Sequence, residues 1–177
     1  MNGFEYQVAG HMIWEGLVTE GLAVTRAVHD RYHASRRNPW NEIECGDHYA
    51  RSMASYGVFL AACGFEYHGP KGHLGFAPRV RPEDFKCAFT TAEGWGTYSQ
   101  KIDSSKWSGE LVLRWGKLRL RSLAFRVPDQ VPLTSLELRL DGKELRCDRK
   151  RTGARVEFVL ADPVELVENE KMEFGPG

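Results

Sequence analysis

The chain has 177 residues, enough for one ordinary domain or two small ones, and 42% of them are hydrophobic, enough for a real core. With equal numbers of basic and acidic residues the formal net charge is zero, which excludes a global field of the kind that draws in nucleic acid or anionic membrane. No apolar run approaches the ~20 residues of a membrane-spanning helix, and the start, MNGFEYQVAG, lacks the basic end and apolar stretch of a signal peptide. If this Met is the natural start, a cytoplasmic protein is expected. The four cysteines, Cys45, Cys63, Cys87 and Cys147, form no Cys-x-x-Cys pair, and their irregular spacing is no disulfide framework.

The first third reads as helix. Phe4, Val8, Met12 and Ile13 mark one helical face, and Leu22, Val24, Ala27, Val28 and Tyr32 mark another. Gly16 and Gly21 flank Thr19, a candidate cap, so two antiparallel helices are expected at roughly 4–16 and 19–34. One long helix with two glycine weak points is the competing reading. Residues 35–46 form a polar loop in which Pro39 biases Asn38 away from helix. Asp47 then suits the N-cap of a third helix, with Ala50, Met53, Ala54, Gly57, Val58 and Ala61 on its buried stripe and Gly64 as its stop.

From Leu74 onward apolar residues alternate, as in half-buried strands. FKCAFTT and WGTYSQKI are short and rich in aromatic and β-branched residues. ELVLRWGKLRLRSLAFRV reads as two arms turning at WGK, and LTSLELRLDGKELRC as a hairpin with Asp141-Gly142 in a type I′ turn. ARVEFVL and VELVENEKMEF complete the set. A sandwich or an open curved antiparallel sheet is expected. CDRKRTGAR is basic, but its simplest reading is a solvated hairpin tip. The helices carry more apolar surface than so small a set can bury, so they read as the middle of something larger.

Chemistry-bearing residues crowd into NPWNEIECGDHYARSM, 38–53. Cys45 and His48 have ligand-like spacing, yet a structural zinc site needs four ligands and no second pair matches; neither a metal nor a cofactor is expected. Glu42 and Glu44, ~6–7 Å apart in an extended loop, resemble a glycosidase carboxylate pair, but such pairs come from different elements so as to flank the sugar. Cys45 precedes a helix N-terminus, but Glu42, Glu44 and Asp47 oppose a thiolate there. A ligand clamp remains: a carboxylate accepts from two neighbouring hydroxyls, and Arg51 offers a rigid fork of donors. Trp40, Tyr49, Trp95 and Tyr98 offer apolar faces for a sugar ring. A Glu–Arg salt bridge fixing the loop to the helix accounts for the same pattern.

The blocks GFEYQVAGHMIWEGLVTEGLAVTRAVHDRY, RNPWNEIECGDHYARSMASYGVFLAACGFEYHG, GFAPR and TAEGWGTYSQ resemble, in order over about residues 3–101, the last part of glycoside hydrolase family 116, the β-glucosidases that include the non-lysosomal glucosylceramidases. Residues 102–177 resemble the β-rich C-terminal extension of some microbial members. The resemblance implies an α+β chain: a helical segment, 1–73, made of the closing helices of an (α/α)6 barrel, then a β-rich region, 74–177, whose residues 74–101 still match the family. It implies that Glu42 and Arg51, nine residues apart, hold hydroxyls of the glucose in the cleavage subsite. Glu44 and His48 then stand behind that clamp, with Trp40, Tyr49 and Trp95 as candidate aromatic faces. Nothing here matches the family's catalytic nucleophile and acid/base, which lie upstream of the matched region. The expectation is a portion of a retaining β-glucosidase, inactive alone, whose substrate is a β-glucoside: a truncated product, an isolated segment of a longer chain, or one half of a split enzyme whose partner is the upstream portion. A free-standing carbohydrate-binding or interaction module is the reading from a different class, and a non-functional remnant is a third.

Overall fold

The structure is a computed structural model that describes residues 2–36, 52–104 and 106–176. The chain divides into two compact units, Met1–Gly64 and Phe65–Gly177.

The first unit holds helices α1 (Asn2–Trp14), α2 (Val18–His29) and α3 (Ser52–Cys63). Small residues set its packing. A side chain on Gly21 of α2 would meet the Ala9 carbonyl oxygen and Ile13 Cγ1 of α1, each at 2.7 Å. Glycine there lets the two helices approach closely around a small core of Ala9, Ile13, Val58 and Ala61. Arg31 ties the chain after α2 back to α1, with Nη1 and Nη2 donating to Glu5 Oε1 and Oε2 at 2.6 Å each. Its Nη1 also donates to Asn2 Oδ1 at 2.9 Å, and the Asn2 amide donates to the Tyr32 hydroxyl.

Three expectations for this unit are corrected. Of the expected apolar face of α1, Ile13 is buried, but Phe4 and Val8 are 58% and 50% exposed, because the core contact runs through Ala9, Gly10 and Ile13. Met53, placed on the buried stripe of α3, is 80% exposed. Thr19 does not cap α2; Leu17 occupies that position and makes no side-chain cap. Gly64 does end α3, with φ +56°.

The second unit is a ten-stranded mixed sheet. Its strands are β1 (Glu66–His68), β2 (His73–Phe76), β3 (Asp84–Thr90), β4 (Gly94–Asp103), β5 (Lys106–Arg126), β6 (Leu136–Leu140), β7 (Lys143–Glu144), β8 (Cys147–Thr152), β9 (Arg155–Val167) and β10 (Lys171–Pro176). β5 organises the whole. Its first half pairs with β4 and β10, and its second half with β2 and β9. The first half thus belongs to a layer ordered β3-β4-β5-β10-β6-β7, the second to one ordered β1-β2-β5-β9-β8. The layers face each other across an aromatic core. Phe76 of β2 stacks on Tyr98 of β4 at 4.0 Å, and Phe125 of β5 lies 4.4 Å from Phe174 of β10. Trp107 and Phe158 pack on the same cluster.

The expected α+β class holds, but this architecture overturns the expected barrel and the expected antiparallel sheet. Among the described residues there are three α-helices, far too few for the ring of helical pairs in an (α/α)6 barrel, and strand dominates. The sheet is mixed rather than antiparallel, because β2 runs parallel to β5. WGK is not a hairpin turn: Trp115, Gly116 and Lys117 lie inside the 21-residue strand β5. A residue with positive φ is still needed there: Gly116, with φ +80°, stands where pairing with β4 gives way to pairing with β9, so the strand passes from one layer to the other. Asp141 and Gly142, with φ +47° and +79°, do make the tight β6–β7 turn. No helix among the described residues is long and apolar enough to cross a membrane.

Candidate functional site

Glu42, Arg51, Glu44, His48, Tyr49 and Trp40 all lie outside the described residues, as do Cys45 and Asp47. Trp95 is described. It sits near the start of β4, 45% exposed, and its indole belongs to an arrangement that the alternation pattern alone does not reveal.

Along β4, buried Gly96, Tyr98 and Gln100 alternate with Trp95, Thr97, Ser99 and Lys101. Strand geometry puts the second set on one face, turned away from the aromatic core. Trp95 pairs directly with Trp115 of β5, so two exposed tryptophans, 45% and 59% accessible, occupy facing strand positions there. Trp115 reaches that face because the bulge between Trp95 and Gly96 skips Arg114 in the pairing.

Farther along the same face, polar side chains form two rows across the strands. Lys86, Ser99, Glu110, Glu173 and Arg139 are successive partners on β3, β4, β5, β10 and β6. The next row holds Asp84, Lys101 and Ser108, followed by Gly175 and Glu137. A Cβ on Gly175 would lie 3.1 Å from that of Ser108, so glycine keeps the middle of this row low. Ser99, Ser108 and Gly175 make the floor, and long charged residues on the outer strands make the banks. The result is an open groove of about 620 Å³.

The charges of the groove are only partly paired. Lys171 Nζ donates to Glu173 Oε1 at 2.9 Å, and Arg139 pairs with Glu137. The Glu173 hydrogen bond and charge raise the Lys171 ammonium above the usual lysine range, and the Glu110 and Asp141 charges add to that. Glu110 stands directly opposite Glu173, an arrangement that costs stability in a sheet. Among the described residues, Lys86, Lys101 and Glu110 make no ion pair or side-chain hydrogen bond.

Beneath the face lies a satisfied polar cluster. The Tyr98 hydroxyl donates to Gln100 Oε1 at 2.6 Å, Trp107 Nε1 donates to the same oxygen at 3.5 Å, and Gln100 Nε2 donates to the Pro82 carbonyl at 2.7 Å. Burial, then the neighbouring Cys87, pushes the Tyr98 phenol well above its usual range, so it stays neutral and donates. Tyr98, grouped by sequence with possible sugar-facing aromatics, is fully buried and serves the core. Arg151, in the basic stretch of β8, donates to the Pro128, Asp129 and Val131 carbonyls and anchors a loop.

The helical unit has a groove of its own, about 550 Å³, lined by Phe4, Gln7, His11, Trp14, Met53 and Gly57 among others. It lies along α1 and α3. Among the described residues no cluster of three or more His, Cys, Asp or Glu side chains is placed to hold a metal ion.

No protein-family model matches the chain, and no curated protein matches it. Among solved structures it is similar to alpha-L-rhamnosidase from Dictyoglumus thermophilum, with 9% sequence identity and a TM-score of 0.39 over 78% of this chain. The chain spans 16% of the length of that enzyme, so the likeness is a distant structural one to part of a glycoside hydrolase.

Proposed function

We propose that the chain is a portion of a retaining β-glucosidase resembling glycoside hydrolase family 116, and that Glu42 and Arg51 hold glucose hydroxyls in its cleavage subsite. The observation that carries this reading is the ordered succession of sequence blocks over residues 3–101, with a glutamate and an arginine at the family's spacing. A carboxylate that accepts from vicinal hydroxyls and a guanidinium that donates to a third suit a polyol. The exposure of Phe4, Val8, Leu17, Met53 and Phe59 on the helical unit fits a segment that packs against further protein. In this reading Glu44 and His48 support the clamp, and the covalent chemistry belongs to a nucleophile and an acid supplied by another stretch of protein.

A retaining mechanism requires two carboxyl groups at a controlled separation. The purified chain is therefore expected not to hydrolyse an aryl β-glucoside; turnover that also survives Glu42→Ala would show that the chemistry has been misplaced. In a complete enzyme, Glu42→Ala or Arg51→Ala is expected to lower kcat/KM by about a hundredfold, because hydroxyl contacts that tighten in the transition state supply several kcal/mol. Unchanged kcat/KM in either variant refutes the clamp.

A further inference from the structure

The outer face of the β3-β4-β5-β10-β6 layer has two features that a merely solvated sheet surface does not need. One is a pair of adjacent, exposed indoles, Trp95 and Trp115, on directly paired strand positions. Exposed tryptophan leaves a large apolar face in water, and here two such faces are offered at facing positions of one sheet surface. The other is the groove with a low floor of Ser99, Ser108 and Gly175 between charged banks. Both lie on one run of β4, so the tryptophan pair and the far end of the groove are ~20 Å apart, six residues of strand.

The geometry points to a binding site for a neutral oligosaccharide along this face, with the exposed indoles of Trp95 and Trp115 each offering a sugar-stacking face and the groove holding hydroxyls of the units that follow. Sugar rings present apolar C–H faces to an indole and hydroxyls that both donate and accept at their edges. Lys86 and Lys101 supply donors, Glu110 supplies an acceptor, and Ser99 and Ser108 supply both. None of the three charged groups is committed to an ion pair among the described residues, so engaging a ligand breaks no existing bond. Lysine and arginine balance aspartate and glutamate along the two rows and Lys171, which disfavours a polyanion such as nucleic acid or a sulphated glycan. The span favours an oligosaccharide over a single sugar. The proposed site uses neither Glu42 nor Arg51, and it takes a longer ligand than one glucose.

The test uses the full chain and a hexasaccharide of β-linked glucose, with titration calorimetry and tryptophan fluorescence as readouts. Binding is expected, accompanied by a fluorescence change, with glucose at least tenfold weaker. Trp115→Ala and Trp95→Ala are each expected to weaken it about tenfold or more, as truncation of a stacking aromatic does. Glu110→Gln should weaken it by a smaller factor, and Glu42→Ala should leave it unchanged, which separates this site from the clamp. Trp115 is exposed, so circular dichroism of its variant should match the parent. Full affinity in both tryptophan variants overturns the proposal. So does failure to bind neutral hexasaccharides of glucose, xylose and mannose alike, or binding of sulphated glycans or of a protein alone.

Discussion

Gln100 carries more of the second unit than its residue type suggests. It is 2% exposed, and its amide serves the Tyr98 hydroxyl, the Trp107 indole and the Pro82 carbonyl together. Gln100→Leu strands those groups in the core and is expected to cost about 2–4 kcal/mol in denaturant unfolding, since each buried unsatisfied polar group costs roughly 1–3 kcal/mol. Tyr98→Phe leaves only the amide oxygen short of one donor and should cost less. Alternation shows that residue 100 of WGTYSQKI faces inward, but it does not show why a glutamine is tolerated there. That depends on Trp107, seven residues away on the next strand, and on a carbonyl from a loop.

Glu66 gives the pH dependence at the same scale. Burial pulls its carboxyl up, but the Arg155 hydrogen bond and charge, with His73 beside it, outweigh that and leave it below the usual range. A carboxylate depressed in the folded state contributes stability that is present above its unfolded value and lost as pH falls through the folded one. Unfolding at pH 7 and pH 3 should therefore differ less in Arg155→Met than in the parent. The side chain is 38% exposed, so solvent screening keeps the pair's contribution below about 1 kcal/mol. An equal pH response in both proteins removes Glu66 from the account.

At the scale of elements, β5 decides the second unit. The sequence ELVLRWGKLRLRSLAFRV has the glycine, the alternation and the composition of a hairpin. A strand that bends between two layers needs the same things: alternation on both halves and one residue with φ > 0 between them. Local pattern cannot separate the two, because pairing partners distinguish them, and these come from β4, β9 and β10. Gly116 tests the point. A Cβ there would lie 2.1 Å from the Glu93 carbonyl oxygen, in a left-handed backbone region as well. Gly116→Ala is expected to cost about 2–3 kcal/mol or more, and to weaken sugar binding because Trp115 is displaced. A solvated two-residue hairpin tip would tolerate the change with a smaller loss. In α2, Gly21→Ala is likewise expected to destabilise the helical unit, since its Cβ would meet Ala9 backbone and Ile13 at 2.7 Å.

At the scale of the whole molecule the two units differ in how completely they bury themselves. The strand unit has an internally closed aromatic core, with Tyr98, Trp107, Phe125 and Phe158 all at most 1% exposed. Residues 65–177 expressed alone should unfold in a single cooperative transition, read by near-UV circular dichroism and tryptophan fluorescence together; non-coincident curves would show dependence on the helical unit. The helical unit shows large apolar side chains at Phe4, Val8, Leu17, Met53 and Phe59. It is expected to drive concentration-dependent association of the isolated chain, measurable by sedimentation and reduced by Phe4→Ser with Val8→Ser.

Sequence by itself determined the local choices: helix before the middle of the chain and strand after it, the Asp141-Gly142 turn, the Gly64 stop, and the identity of Trp95 as an aromatic worth placing. These follow from side-chain period and backbone sterics, which act within a few residues. Tertiary structure alone decided that the sheet is mixed rather than antiparallel, that no ring of barrel helices surrounds the three helices among the described residues, and that WGK lies inside a strand. It also decided that Trp95 has Trp115 as its neighbour and that Gln100 is satisfied. The physical reason is that each depends on which partners the fold brings together, and pairing or packing with another element leaves no periodic mark in the local sequence.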